Sequence, residues 1–316
     1  LGIPLKCHFK GTSVDCDFSY EGNEELTPEN WSSEYKQCDG KLQSPIDIDE
    51  KAVTRVSLPP LKFNGAWDLP WSATLKNNGH TVELRLNSTR PVLLTGGPLD
   101  DVYKFEQLHF HWGRNNSVGS EGQINHKSYS MELHQVYFKR SYGTFQEALK
   151  HKDGLLVLAV FFKVVPSENS AYQYLVDGVK RVKTMSESTT LSYMVPLKHL
   201  LPNNRVQYFV YNGSLTTPPC SEVVTWIDFK KPVGISEEQL QQFHCIYGAH
   251  GPLTFNIRPI QATNGRTVLF NVKNHAVERA RPKLPMSIKP ENLDFEILDL
   301  ESITSVTSDS SSQSGY

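Results

Sequence analysis

Two stretches about twenty residues apart constrain this chain most: Gln107-Leu108-His109-Phe110-His111-Trp112-Gly113 and Met131-Glu132-Leu133-His134-Gln135-Val136. Both alternate with period two, and on a β-strand residues i and i+2 point to one face. His109 and His111 therefore look the same way with Gln107 behind them, and Glu132, His134 and Val136 share a face of the second strand. If the strands are neighbours, three imidazoles converge beside a carboxylate and a carboxamide. Three neutral imidazoles suit Zn²⁺ and leave the fourth tetrahedral position open, the arrangement of a catalytic site rather than a closed structural one. A ligating imidazole gives its other ring N–H to an acceptor that fixes its tautomer. Gln107 would serve His109 in this way, and Glu132 would serve His134. The competing reading is an aromatic-rich core holding satisfied histidines, and the flanking acceptors weigh against it. One Zn²⁺ per chain is the expected cofactor.

The rest of the sequence reads as a strand-dominated chain with few helices. Short strands are bounded by Pro59-Pro60, Asn64-Gly65 and Asn77-Asn78-Gly79, and His80 opens an alternating strand at 80–86. Residues 155–165 and 206–211 read as buried strands. Thr144-Phe145-Gln146-Glu147 and Ser236-Glu237-Glu238-Gln239 fit the capping box and predict short helices burying Ala148/Leu149 and Leu240/Phe243. A third helix is predicted over 170–183, with Leu175, Val179 and Val182 facing inward.

A chain of 316 residues has room for two domains, but no Gly/Ser run or charge block separates the motifs. One large domain is the better reading. Lys and Arg number 32 against 34 Asp and Glu, and no basic stripe is present, which argues against a nucleic-acid partner. The most apolar run, 155–165, is broken by Lys163 and too short to cross a bilayer. From about Asn274 the composition shifts; 290–316 carries Glu291, Asp294, Glu296, Asp299, Glu301 and Asp309 with no Lys or Arg. That composition predicts a disordered acidic, Ser/Thr-rich tail.

The two metal-site stretches stand in a longer series: Ser44-Pro45-Ile46-Asp47-Ile48, Asn77-Asn78-Gly79-His80, Gly119-Ser120-Glu121, Ser214-Leu215-Thr216-Thr217-Pro218-Pro219-Cys220 and Asn256-Ile257-Arg258-Pro259. In this order, from about Phe18 to about Val272, the chain resembles the α-class carbonic anhydrases. The resemblance implies a mainly β (α+β) fold, a large, twisted, mostly antiparallel central sheet with short peripheral helices and the site in a cone-shaped cleft. It divides the chain into an N-terminal arm at 1–17, a catalytic domain at 18–275 and the tail at 276–316.

The activity it implies is zinc-dependent reversible hydration of carbon dioxide to bicarbonate and a proton by zinc-bound hydroxide. Thr216 and Glu121 would orient the nucleophile, and His80 would shuttle the proton through waters held by Tyr20, Asn78 and Thr217. Val136, Val157, Leu215 and Trp226 would form the apolar substrate pocket. The partner is then a small molecule, CO₂ or bicarbonate, with oligomeric state left open. The alternative is a related matrix or binding protein that uses the fold and acidic tail for interaction or biomineralisation. Two residues depart from the family pattern. Glu83 stands where a neutral amide is common, with a predicted effect on His80 and turnover; Gly122 stands where a histidine is frequent.

Of five cysteines, Cys38 and Cys220 match the disulfide typical of extracellular members. Cys7 and Cys16 are close enough in sequence for a local bridge, leaving Cys245 over. Asn30, Asn87, Asn115 and Asn212 begin glycosylation sequons. Asn87 and Asn115 lie in predicted loops and are the candidates, whereas Asn212 adjoins the active-site segment. Cysteines and sequons together predict a secreted, extracellular protein.

Overall fold

The computed structural model describes residues 18–22, 26–65, 72–87, 90–191 and 196–274, and the backbone of His8–Lys10 and Ser13–Asp15. Cys7, Cys16, most of the arm at 1–17 and the whole tail at 276–316 lie outside the described residues. Everything below belongs to the compact unit Leu1–Val277.

Twelve strands make the central sheet. In chain order they are β1 (Thr54–Leu58), β2 (Lys62–Asn64), β3 (Ser72–Asn77), β4 (Val82–Asn87), β5 (Leu93–Thr95) and β6 (Tyr103–Trp112). They continue as β7 (Met131–Lys139), β8 (Leu155–Val164), β9 (Ser188–Leu191), β10 (Tyr208–Gly213), β11 (Val224–Ile235) and β12 (Leu269–Asn274). The order across the sheet is β9-β3-β4-β6-β7-β8-β11-β10-β12-β1, with β5 pairing β6 and β2 pairing β5. Neighbours run antiparallel except β8 with β11 and β12 with β1, which are parallel. The sheet is therefore mixed, though mostly antiparallel as expected.

Strands buried on both faces lose the alternation of a half-exposed strand. All nine residues of β7 are buried, and Leu155-Leu156-Val157-Leu158-Ala159-Val160-Phe161-Phe162 of β8 are all buried too. On β7 the parity still sorts the faces: Met131, Leu133 and Tyr137 join the rear core, while Glu132, His134 and Val136 face forward. The rear is covered by helices α1 (Ser170–Val179) and α2 (Glu237–His244), whose Tyr172, Leu175, Val176, Val179, Leu240 and Phe243 enter the same core. The front carries a smaller apolar cluster and the candidate site.

One irregularity shapes the front. Gln107 pairs with Val136 and Phe105 with Tyr137, so Glu106 is an extra residue in β6. Phe105 and Leu108 both pack in the rear core although three apart, which a regular strand forbids. Glu106 and Gln107 together make up the difference.

Three predicted boundaries move. The helix predicted over 170–183 stops at Val179, because the Val182 and Lys183 carbonyls accept hydrogen bonds from Asn77 Nδ2 at 3.2 Å each and the turn must open to meet them. The strand predicted from His80 starts at Val82: Asn78 Oδ1 accepts from the backbone N–H of His80 (3.0 Å) and Thr81 (2.9 Å), holding both in a turn. The 206–211 strand runs Tyr208–Gly213. Both capping boxes fall at helix starts. Ser236 makes the full reciprocal box, and Thr144 accepts from Glu147 N at the one-turn helix Phe145–Ala148.

Candidate active site

His109 and His134 are direct register partners on β6 and β7, and Glu132 lies opposite His111. Three imidazoles thus crowd one patch of the front face, with ring centroids 5.0 Å (His109–His111), 5.2 Å (His109–His134) and 4.5 Å (His111–His134) apart. Each has one nitrogen already engaged. His109 Nδ1 meets Gln107 Oε1 at 2.9 Å, and His134 Nε2 meets Glu132 Oε1 at 2.6 Å, as the period-two reading expected. His111 Nδ1 meets the backbone carbonyl of Asn256 at 2.7 Å, a partner the sequence reading missed. Glu132 is itself fixed by the Gly122 N–H, which donates to Oε2 at 2.9 Å.

What remains is Nε2 of His109, Nε2 of His111 and Nδ1 of His134. Among the described residues these three histidines form the one group able to hold a metal, with one ligand atom from each all within 4.8 Å of one another. His111 Nε2 is buried and lacks a hydrogen-bond partner. Burial, with the neighbouring imidazoles, holds His109 and His111 well below the ordinary imidazole range, so both are neutral as a ligand must be. A buried imidazole nitrogen without a partner, facing two others, is what a metal ion would satisfy.

Glu121 Oε2 lies 3.5 Å from His111 Nε2. Its Oε1 accepts from the Arg258 backbone N–H at 2.8 Å. Burial pushes the Glu121 carboxyl up, opposed first by a hydrogen bond from Thr216 and later by the Arg258 guanidinium. The structure therefore brings the predicted pair Thr216 and Glu121 together beside the imidazoles. Arg258 is buried, and its guanidinium donates to Gln43 Oε1 (2.8 Å), Ser44 O (2.9 Å) and Cys38 O (3.0 Å), fixing the segment that holds Glu121. Tyr20 is buried close enough to Glu121 and Arg258 for both charges to act on its phenol.

His80 departs from the simple expectation of a solvent-facing shuttle. It is only 4% exposed, stacks on Phe18 with centroids 3.9 Å apart and planes 13° from parallel, and leaves Nε2 without a partner. Burial, with His250 next, pushes its protonation down to about 3. Asn78 spends its Oδ1 on the turn beneath His80, and Thr217 is half-buried beside Thr216.

Val136, Val157 and Trp226 are register partners on β7, β8 and β11, so they form one row across the front face next to the His109–His134 row. All are buried, as is Leu215, and the four share one apolar cluster. Trp226 meets His134 edge-on at 4.9 Å. Cys38 and Cys220 are bonded, with Cα atoms 4.8 Å apart, and Cys245 is free. Asn87 and Asn115 are exposed, and so are Asn30 and Asn212. Gly122 lacks the frequent histidine, and a Cβ there would meet Phe161 at 3.3 Å.

A mixed β-sheet whose centre presents three buried imidazoles, each with one ring nitrogen held by its own acceptor, beside a glutamate and a threonine, defines a class of proteins with a site able to hold a metal ion. A model of the eukaryotic-type carbonic anhydrase family matches residues 26–272, and the chain belongs to that family. Mouse carbonic anhydrase 7 is 38% identical over 249 residues, covering 76% of this chain and 92% of that protein. Bovine carbonic anhydrase 3 is 33% identical over 253 residues, covering 78% and 95%. The rat receptor-type tyrosine-protein phosphatase zeta is 38% identical over 232 residues, covering 72% of this chain but 10% of its own length. The chain is an enzyme by this kinship, and its family acts on carbon dioxide and bicarbonate.

Proposed function

We propose that the chain hydrates carbon dioxide reversibly to bicarbonate and a proton, using a zinc ion held by His109 Nε2, His111 Nε2 and His134 Nδ1. The observation that carries this reading is that every other ring nitrogen of the three is already bound to Gln107, Asn256 or Glu132. Held by these three nitrogens, zinc would lower the pKa of a bound water to about 7 and so would supply a nucleophile at neutral pH.

The protein's own residues do the rest. Thr216 would donate a hydrogen bond from its hydroxyl to Glu121, leaving its oxygen lone pairs to accept from a ligand that carries hydrogen. Ligands with no proton to donate are disfavoured. Carbon dioxide is small and apolar, and Val136, Val157, Leu215 and Trp226 supply an apolar wall where hydrogen-bonding groups would retain water. The product proton leaves by way of His80 in a second ring position. Stacked on Phe18 it takes no proton at neutral pH; turned toward solvent it recovers an ordinary imidazole pKa. The Cys38–Cys220 bond and the exposed sequon asparagines Asn87 and Asn115 support secretion.

Stopped-flow CO₂ hydration on protein of measured zinc content tests the reading, with His134→Ala alongside. Zinc near one per chain, and fast hydration lost in the variant, is the expected result. Zinc bound without hydration would overturn it.

A further inference from the structure

One group on the front face has no part in the chemistry above. Glu83 on β4 is the register partner of His109, so its side chain leaves the sheet on the same face as the metal-site imidazoles and next to them. Arg85, two residues on, shares that face and donates from Nε to Glu83 Oε1 at 2.7 Å and from Nη1 to Glu106 Oε1. Glu106 is the extra residue of β6, turned out of the rear core beside Gln107. Both carboxylates are mostly shielded, at 13% and 22% side-chain exposure, so solvent screens them less than surface charges. The same row also carries Lys76 of β3, opposite Glu83, exposed and one strand further from His109, and, three strands from His109 on its other side, the buried Asp228 of β11.

We infer that the Glu83–Arg85–Glu106 cluster is a specificity-determining wall of the cleft, which adds net carboxylate charge beside the metal site and so weakens the binding of small inorganic anions. The inference rests on the metal site proposed above. Two carboxylates on one guanidinium leave negative charge on β4 and on β6, the strand that carries His109 and Gln107, while the balancing ammonium lies further out and in water. Carbon dioxide, being neutral, is indifferent to that field, whereas an anion approaching the open coordination position is repelled.

The test is a charge series read as binding. Thiocyanate dissociation constants are measured from the visible spectrum of the Co²⁺-loaded protein, for wild type, Glu83→Gln, Glu106→Gln and Arg85→Gln, with Lys150→Gln as an exposed charge change outside the wall. Each glutamate variant should bind thiocyanate about threefold to tenfold more tightly at low ionic strength, and Arg85→Gln more weakly by a similar factor. The differences should shrink near 0.15 M salt, where the screening length falls to about 8 Å. Lys150→Gln should match wild type. A merely structural role would move all wall variants in one direction, so opposite directions for glutamate and arginine support the wall. Equal affinities across the series overturn it alone, while a wild-type protein that binds no Co²⁺ overturns it together with the metal site.

Discussion

Each metal-facing imidazole is aimed by a different kind of acceptor: a carboxamide, a backbone carbonyl and a carboxylate. Glu132 carries the most, since it also receives the Gly122 N–H. Glu132→Ala should lower zinc affinity about tenfold to a hundredfold, read by competition with a chelator, and an unchanged affinity would remove its role. Phe18→Ala tests the stacked histidine. The ring lies in a low-dielectric pocket that penalises its cation, so unburying it should raise the His80 pKa from about 3 toward the usual imidazole range, as followed by NMR titration. No movement would mean that burial by Phe18 is not the cause. The convergence of the three imidazoles and two of their acceptors was legible because strand parity puts i and i+2 on one face. The third acceptor was not: Asn256 lies 145 residues from His111 and acts through its main chain, which leaves no mark in side-chain pattern. Phe18 was silent for the same reason, as a partner distant in sequence.

At the level of elements, the caps were the most readable signals. Ser236 accepts from Gln239 N at 3.2 Å while Gln239 Oε1 returns to Ser236 N, and Gln239 Nε2 also reaches Asn169 O and Gln173 Oε1 near the start of α1. Ser236→Ala should cost about 1 kcal/mol in urea unfolding, and a loss near zero would show that Gln239 holds the corner unaided. The end of α1 was misread because apolar periodicity continues through Val182, whereas the chain breaks to satisfy Asn77. Nor does a sequence announce an extra residue in a strand. The displacement at Glu106 became visible only through pairing with β7. The parallel pairing of β8 with β11 was equally hidden, since both neighbours of a fully buried strand are apolar whichever way they run.

Across the whole molecule, one buried carboxyl in the row of His109 and His134 takes no part in the proposed chemistry. Asp228 on β11 is 2% exposed, its Oδ1 has no partner, and burial, then the charge of Glu132, pushes its carboxyl well above the ordinary range. Below about pH 4 the carboxyl is protonated in both folded and unfolded chains, and no penalty arises. Above that the unfolded carboxyl ionises while the folded one does not, so stability falls by up to about 1.4 kcal/mol per pH unit until the folded group titrates. Asp228→Val should therefore gain on wild type as the solution moves from about pH 5 to about pH 7 in denaturant titrations. Parallel curves would show that the carboxyl finds a partner.

The order of strands has its own consequence for how the molecule breathes. His109, His111 and His134 sit on β6 and β7, the fourth and fifth of ten strands along the main path, while β9 and β1 close its ends. Opening at an edge frees few hydrogen bonds and can occur without global unfolding, whereas opening the middle cannot. Amide hydrogens of Thr54–Leu58 and Ser188–Leu191 should exchange with deuterium through local fluctuations, and those of β6 and β7 only through loss of the entire sheet. A protein built this way keeps its three central imidazoles together until nearly the last of its structure has gone, so heat or denaturant should fray its margins long before that cluster comes apart.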